Sequence, residues 1–300
     1  MTKHNIVFAI LSAVLFLLMG FSIYRENNPE WKEYQREFYR LMAKKTGDAE
    51  FANTPLKVRQ IWLPTMDRTD RCMTCHTGID MSAFADAPQP YTAHPDLSFQ
   101  LKTHPFRKFG CTVCHEGDGR ATTYEGTHGN VEHIEKLMLV GNYIQSSCTK
   151  CHFDIYTRDE DLPGTEVLMK GMRRITENRD CKKACHTIRQ IGWKGTKAPN
   201  INSFGSQTEL AFYLKHDFTY IEGEHTIANW EYEHFLDPES IVPGDEKHDI
   251  EPTIMPDLGL SEEEAKALSI FVLSLKDPKI EKIPYQYIPK SALLASIENK

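Results

Sequence analysis

The sequence predicts a mostly α-helical protein with one N-terminal transmembrane helix, a loop-rich middle segment with little sheet, and an all-α C-terminal domain. Three observations support this fold class. They are a long uncharged apolar run near the N-terminus, a series of short cysteine motifs through the middle, and apolar residues at helical spacing near the C-terminus. A chain of 300 residues is long enough for two domains of ordinary size.

Composition and charge exclude two classes of protein. Asp and Glu number 42 and Lys and Arg number 35, so the formal net charge is −7. An acidic body repels phosphate backbones and no basic stripe reverses that repulsion locally, which excludes nucleic-acid binding. Only 40% of the residues are hydrophobic, which excludes a protein with many membrane spans but leaves room for one.

The N-terminus carries the candidate membrane anchor. Residues 6–24 contain no charged side chain, and as a helix at about 1.5 Å per residue they would extend about 28 Å, the thickness of one hydrocarbon core. The alternative is a cleaved secretory signal, whose apolar region spans about 7–15 residues and ends at a small-x-small site. The sequence Met19-Gly20-Phe21 is a poor site of that kind. We therefore expect residues 1–25 to be a retained transmembrane anchor.

All eight cysteines fall into four pairs, and a histidine follows each pair directly. Three pairs enclose two residues and the last encloses three. In chain order, motifs 1 to 4 are Cys72-x-x-Cys75-His76, Cys111-x-x-Cys114-His115, Cys148-x-x-Cys151-His152 and Cys181-x-x-x-Cys185-His186.

Covalent haem attachment uses this arrangement, because two thiols about one helical turn apart add to the two vinyl groups and the adjacent imidazole ligates the iron. The longer spacing of motif 4 keeps both sulfurs on one helical face, since it moves them from i,i+3 to i,i+4. Zinc ribbons place their pairs about 15–20 residues apart, whereas 30 or more residues separate these pairs. Disulfides would leave the four histidines unexplained. We expect four covalently bound haem c groups.

Haem attachment also predicts the topology. Because haem is attached outside the cytoplasm, the chain after Tyr24 is expected to face the periplasm, with Lys3 on the cytoplasmic side. The sequence therefore predicts a single-pass protein of the inner (cytoplasmic) membrane.

Residues 26–60 are expected to form a juxtamembrane helix and a linker. Asn28-Pro29-Glu30 supplies an N-cap, a proline at the first helical position and an acidic first turn. One apolar face follows at helical spacing, formed by Trp31, Tyr34, Phe38, Leu41 and Met42. This face would pack either against the chain's own haem module or against a partner or lipid surface, and the sequence leaves both readings open.

Residues 61–157 hold motifs 1 to 3 and are expected to form a trihaem module. So short a segment has little room for a conventional core, so the porphyrins are expected to supply the apolar interior. Short helices at the motifs and loops elsewhere should follow.

Six-coordinate haems need a second axial ligand, and the histidines outside the motifs are candidates. Apart from His4, these are His94, His104, His128, His133, His216, His225, His234 and His248. We expect His94, His104 and His128 to be the distal ligands of the trihaem module. The first two precede prolines in loop-like sequence, and Gly129 follows His128 and lets the backbone approach a flat ring. His133, in a helical stretch, is the reserve.

Beyond a charged linker, the pattern changes over residues 165–276. Gly171 lies on a predicted helix before motif 4, Ala198-Pro199-Asn200 follows that motif, and Met255-Pro256 comes later. A capping box at Ser261-Glu-Glu-Glu264 then opens a helix with apolar residues at i, i+3, i+4 and i+7.

This order of features resembles class I monohaem cytochrome c over residues 165–276. The resemblance implies an all-α monohaem domain in which Pro199 lies in the proximal-side loop and Phe271 faces Gly171 across crossed terminal helices. It also implies that Met255 is the sixth iron ligand. The alternative for Met255 is a buried core methionine.

The whole chain resembles membrane-anchored multihaem cytochrome c subunits of bacterial menaquinol-oxidising complexes of the cytochrome bc type. The segments that carry this resemblance surround motifs 1 and 2 and include Trp62-Leu-Pro, His104-Pro-Phe-Arg-Lys-Phe-Gly and Thr127-His-Gly. It implies electron transfer from cytochrome b-like and iron–sulfur subunits, through haems 1–3 and out from haem 4. The acceptor would be a soluble periplasmic cytochrome or a terminal reductase or oxidase.

Two other functions remain open. Membrane-anchored tetrahaem quinol dehydrogenases share one N-terminal span and four haems, but this chain departs from them in ending in a separate His/Met domain. A multihaem reductase or peroxidase would need an open iron site, and the supply of distal candidates argues against one. Residues 277–300 form a tail that is either disordered or a docking strap for a partner subunit.

Overall fold

The computed structural model describes residues 2–131, 135–177, 185–244 and 251–293. This part of the chain is mostly helical with little sheet and has one N-terminal apolar helix, which confirms the predicted fold class at that level. The α-helices of the described residues are α1 (Lys3–Asn27), α2 (Trp31–Thr46), α3 (Leu97–Thr103), α4 (Phe106–Phe109), α5 (Thr112–His115), α6 (Tyr124–His128), α7 (Glu166–Glu177), α8 (Glu209–Tyr213), α9 (Ile227–Leu236), α10 (Pro238–Ile241), α11 (Glu262–Ser274) and α12 (Pro278–Glu281).

Strands are short. They are β1 (Ile61–Leu63), β2 (Arg68–Asp70), β3 (Thr187–Ile188) and β4 (Trp193–Lys194). The last two pair antiparallel, with Thr187 opposite Lys194 and Ile188 opposite Trp193. Several 3-10 helices supplement the α-helices, and two of them, Cys72–Thr74 and Gly141–Lys150, contain motif residues.

The chain forms two compact units. Unit 1 comprises residues 1–62, 69–110 and 119–127, and unit 2 comprises residues 63–68, 111–118 and 128–300. Motif 1 lies in unit 1, whereas motifs 2 and 3 and the described part of motif 4 lie in unit 2. Residues 61–157 are thus divided between the units.

Helix α1 begins after Thr2, whose hydroxyl accepts a hydrogen bond from the Asn5 amide, and its 25 residues give a length of about 38 Å. Its apolar side chains are exposed all round. It is the one helix among the described residues that is long and apolar enough to cross a membrane. It contains the predicted span and extends beyond it at both ends.

The apolar face of α2 packs inside unit 1. Phe38, Tyr39 and Met42 are buried in one cluster with Phe84 and Tyr91. The side-chain amide of buried Gln35 donates to the carbonyls of Lys57 and Thr74, and Thr74 lies within motif 1. Of the two readings that the sequence left open, the structure has the juxtamembrane helix packed against the segments around its own first motif.

The core of unit 2 is built where α7 crosses α11. A Cβ at Gly171 would overlap the Ala267 carbonyl and lie 3.0 Å from Phe271 Cβ, so only glycine permits this close approach. The expected contact between Gly171 and Phe271 is therefore present. The predicted capping box is confirmed too, since Ser261 and Glu264 cap the first turn of α11 reciprocally.

The 3-10 helix that leads into motif 3 packs against the same terminal helix. The Thr149 hydroxyl donates to the Ser274 carbonyl over 2.7 Å, and so does the Tyr156 hydroxyl. The ring of Tyr156 meets the Phe271 ring edge-on at 6.1 Å. Within unit 2, motif 3 is thus anchored to the helix that forms the core of the C-terminal region.

Part of the predicted tail is ordered on unit 2. The Asp277 amide donates to the Ser206 hydroxyl, which in turn donates to the carboxylate of Glu281 in α12. Tyr287 lies 2.9 Å from the Thr65 hydroxyl. These contacts order the first part of the tail, and residues 294–300 lie outside the described part of the chain.

Candidate haem sites

Motifs 1 to 3 each fold as a single helical turn that starts at the first cysteine. In each motif the amide of the second cysteine and the amide of the histidine donate to the carbonyl of the first cysteine. The distances are 3.2 and 3.0 Å from Cys72, 3.1 and 3.0 Å from Cys111, and 3.3 and 2.9 Å from Cys148. This turn brings the two thiols and the imidazole of a motif close together, as attachment to one porphyrin requires.

Burial protects three of the motif thiols from ionisation. Burial raises the pKa of Cys75 and of Cys148 to about 12, and that of Cys151 to about 11. The described thiols of Cys72, Cys75, Cys148, Cys151 and Cys185 form no disulfide. A zinc thiolate site or a reactive thiol needs the ionised form, whereas a thioether to a haem vinyl group carries no charge. Burial therefore does not oppose thioether attachment, which leaves no charge on the sulfur.

Motifs 2 and 3 are neighbours in unit 2. The proximity of Cys114 contributes to the raised pKa of both Cys148 and Cys151. Lys150, the second intervening residue of motif 3, donates to the carbonyl of Val113, the second intervening residue of motif 2, over 2.8 Å. The two candidate haem sites are thus in direct contact through their attachment segments.

The described end of motif 4, Cys185 and His186, is held by the loop that follows it. The amides of Lys197 and Ala198 donate to the Cys185 carbonyl at 3.1 and 3.0 Å. His186 Nδ1 lies 2.8 Å from the Pro199 carbonyl oxygen. A carbonyl cannot donate, so Nδ1 carries the proton and Nε2 keeps its lone pair, which is the form that ligates iron. Cys181 lies outside the described residues.

His115 of motif 2 and the predicted distal ligand His128 both contact one short segment of unit 2. The Leu139 amide donates to the His115 carbonyl over 2.6 Å, and the Met138 amide donates to the His128 carbonyl over 3.0 Å. His115 Nδ1 is also 3.4 Å from the Leu139 carbonyl. His128 therefore lies close enough along this segment to be a candidate partner for motif 2.

The predicted ligands His94 and His104 share unit 1 with motif 1. The His94 amide donates to the Ile79 carbonyl, and the Ile79 amide donates to the His76 carbonyl. His94 therefore lies beside the turn that ends motif 1. Burial lowers the pKa of both His94 and His104, which favours the neutral imidazole that metals bind. His104 lies further along the chain, with its ring 5.0 Å from the Phe109 ring.

Met255 is partly buried and packs against the core of unit 2. Its amide donates to the Thr253 hydroxyl over 3.1 Å, while its neighbour Ile254 is exposed. This placement fits the implied sixth ligand and also a core methionine.

His234 is a candidate that the sequence reasoning did not select. It lies on the apolar face of α9, where its ring stacks on the Trp230 ring at 4.7 Å. Burial, followed by the proximity of His186 and His216, lowers the pKa of His234 to about 4. Its buried Nδ1 has no hydrogen-bond partner among the described residues. A neutral imidazole with an unused nitrogen near His186 fits the haem site of motif 4, as a ligand or as a polar neighbour of one.

The helical register was the signal that marked His234 in the sequence. Its position four residues after Trp230 places both side chains on one face of α9. His133 and His248 lie outside the described residues, so their positions stay predictions.

Comparison with protein-family models, with curated proteins and with solved structures found no match.

Proposed function

We propose that this chain is a membrane-anchored tetrahaem c-type cytochrome that carries electrons from a quinol-oxidising membrane complex to a periplasmic acceptor. The observation that carries the proposal is the set of four cysteine-pair and histidine motifs, supported at motif 4 by the His186–Pro199 hydrogen bond. Bound haem would supply a one-electron iron couple. The chain itself would make or break no bond, so it is a transfer subunit whose complex has quinol:cytochrome c oxidoreductase activity.

Different residues of the chain would ligate the irons, exclude water and set the haem potentials. The motif histidines would hold the irons on one face, and His94, His104, His128 and Met255 would hold them on the other. The buried core of unit 2 would exclude water around motif 4. A thioether ligand raises a haem potential relative to a second imidazole. Met255 would therefore make the haem at motif 4 the one with the highest potential, to which electrons from the other haems flow.

The proposed partners are cytochrome b-like and iron–sulfur subunits on the donor side. A soluble periplasmic cytochrome or a terminal reductase or oxidase is the proposed acceptor. The apolar α1 helix supports the membrane location, and the haem motifs support a periplasmic body, because haem is attached outside the cytoplasm.

Reduction by a short-chain menaquinol tests the subunit role. The chain should be reduced when it is purified together with its native complex and should stay oxidised when it is purified alone. Rapid reduction of the isolated chain would instead favour a quinol dehydrogenase.

The ferric spectrum of the same preparation tests the transfer role. We expect low-spin haem throughout, with no change on adding cyanide or nitrite. A high-spin component that binds either ligand quickly would favour a reductase or peroxidase with an open iron site.

A further inference from the structure

Lys150 is a buried lysine inside a haem attachment motif. Its side chain is fully buried, although the ammonium of a lysine is strongly hydrated when it is exposed. The buried ammonium is paired twice: it donates to the carbonyl of Val113 at 2.8 Å and lies 2.5 Å from a carboxylate oxygen of Glu116. Burial of a charge on this scale requires such partners.

Both partners belong to motif 2 or adjoin it. Val113 lies between Cys111 and Cys114, and Glu116 directly follows His115. A single ammonium from motif 3 therefore contacts the middle of the motif 2 turn and the residue that directly follows it. Any displacement of the Lys150 side chain would leave the buried carboxylate of Glu116 without its closest counter-charge.

Glu116 is held in an unusual backbone conformation. Its φ of 59° and ψ of −149° lie in a region that glycine adopts and other residues rarely do. Such strain persists only where the surroundings fix it. Leu139 contacts His115, the residue before Glu116, and Lys150 contacts the Glu116 carboxylate. Contacts to Lys150 and to residues 138–139 therefore fix the turn that contains His115.

The charges around this contact do not cancel. Lys276 and Lys136 lie 3.7 and 3.9 Å from the Glu116 carboxylate, and Glu281 lies 3.6 Å from Lys136. Burial disfavours a charged carboxylate, and the three ammonium groups around Glu116 compensate for the water that it loses. Three lysines face two glutamates, so the cluster has an excess of one positive charge when Lys276 is protonated.

We propose that Lys150 is a positioning residue that ties motif 2 to motif 3 and, through its buried charge, raises the reduction potentials of the two haems attached there. This inference rests on the proposed function, since it requires haem at both motifs. A buried positive charge favours the ferrous state, which carries one positive charge fewer than the ferric state. The direct contact would also fix the distance between the two haem sites.

Two single substitutions of opposite charge test the proposal. Lys150→Met keeps the length of the side chain and leaves both cysteines and the histidine intact, and motif 1 already has methionine at an intervening position, Met73. Glu116→Gln keeps the shape of the carboxylate and removes its charge. The readout is a spectroscopic redox titration of the full-length protein resolved into four one-electron components.

Lys150→Met should lower two of the four potentials, and Glu116→Gln should raise the same two. We expect a change of about threefold to tenfold in the ferric-to-ferrous equilibrium, or about 30–60 mV for a one-electron couple. Lys150→Arg, which keeps the charge, should stay close to wild type. Lys170→Met, which removes an exposed charge from the same unit, is the matched control and should move none of the four.

Mildly acidic buffer is the right condition for the titration. Burial lowers the pKa of Lys276 to about 7, so at higher pH the loss of its proton would offset the charge change in either variant. Below that value Lys276 keeps its proton in the wild-type protein.

Shifts of the same sign in both variants, or no shift in either, would overturn the role of Lys150, because a packing defect has no reason to follow the sign of the charge. If Lys150→Met does not fold, Glu116→Gln decides alone: a rise in two potentials supports the proposal, and anything else overturns it. Fewer than four haems in the wild-type protein would contradict the proposed function. Four haems with unmoved potentials would contradict only this assignment.

Discussion

His186 Nδ1 and the Pro199 carbonyl oxygen lie 2.8 Å apart, and this contact sets the chemistry of motif 4. The carbonyl accepts a hydrogen bond from Nδ1–H, so the proton stays on Nδ1 and Nε2 is the nitrogen that can donate an electron pair. It also fixes the orientation of the ring. In the proposed haem site of motif 4, Met255 and His234 are the two candidates for the second axial ligand in the described part of unit 2.

Met255→His should lower the potential of one haem only. A thioether is a weak, soft ligand that favours ferrous iron, whereas imidazole stabilises the ferric state. The wild-type protein should show the far-red absorption of a ferric methionine–haem bond, and the variant should lose it.

Met172→Leu is the control for Met255, because Met172 packs against the same core without a proposed role at iron. It should leave the band and all four potentials unchanged. An absent band in the wild type, or a potential that Met255→His does not move, would make Met255 a packing residue only.

His234→Leu separates the two candidates. If Met255 is the ligand, the far-red band and the low-spin ferric spectrum persist, because the variant removes only a polar neighbour. Electron paramagnetic resonance of the oxidised protein gives the answer. A new high-spin signal in this variant would assign the sixth position to His234 instead.

Glu231→Gln should stabilise the protein in alkaline buffer. Burial raises the pKa of Glu231 to about 8, so the folded protein keeps a proton that the unfolded chain loses above pH 4.5. Stability is therefore lost as the pH rises from about 4.5 to 8. Glutamine cannot ionise, so Glu231→Gln should be more stable than wild type by on the order of 4 kcal/mol at pH 8 and by little below pH 4.5.

Urea unfolding of the full-length protein in detergent, at both pH values, measures this difference for unit 2. Glu239→Gln, at an exposed site in α10, is the control. Its free energy of unfolding should match that of wild type at both pH values. Equal stabilities of wild type and Glu231→Gln at pH 8 would show that the Glu231 carboxyl ionises without cost.

The sequence predicted the elements that depend only on residues close together in the chain. The uncharged run became α1, and the Ser261 capping box became the start of α11, because both depend on residues within one or two helical turns. The contact of Gly171 with Phe271 followed from a resemblance rather than from periodicity.

Contacts between distant residues could not be predicted in the same way. The apolar face of α2 had two possible uses, and only the placement of Phe84 and Tyr91 selected one. The hydrogen bond from Lys150 to Val113 joins residues 37 positions apart, and no periodic pattern in the sequence indicates it. Helical register places His234 on one face of α9 with Trp230, but only the fold places it near His186.

Membrane retention of α1 is testable at the N-terminus. The mature chain should begin at Met1 or Thr2 and should leave membranes only on addition of detergent, because the exposed apolar side chains of α1 need lipid contact. N-terminal sequencing and alkaline extraction give the result. A soluble protein that begins beyond Tyr24 would show instead that the segment is a cleaved signal.

The intact mass of the denatured full-length protein tests the central claim most directly, since only covalently bound haem survives denaturation. We predict four haems, including one at the longer Cys181-x-x-x-Cys185-His186 motif, and no cysteine open to alkylation. A mass with three haems, together with alkylation of Cys181 and Cys185, would contradict it.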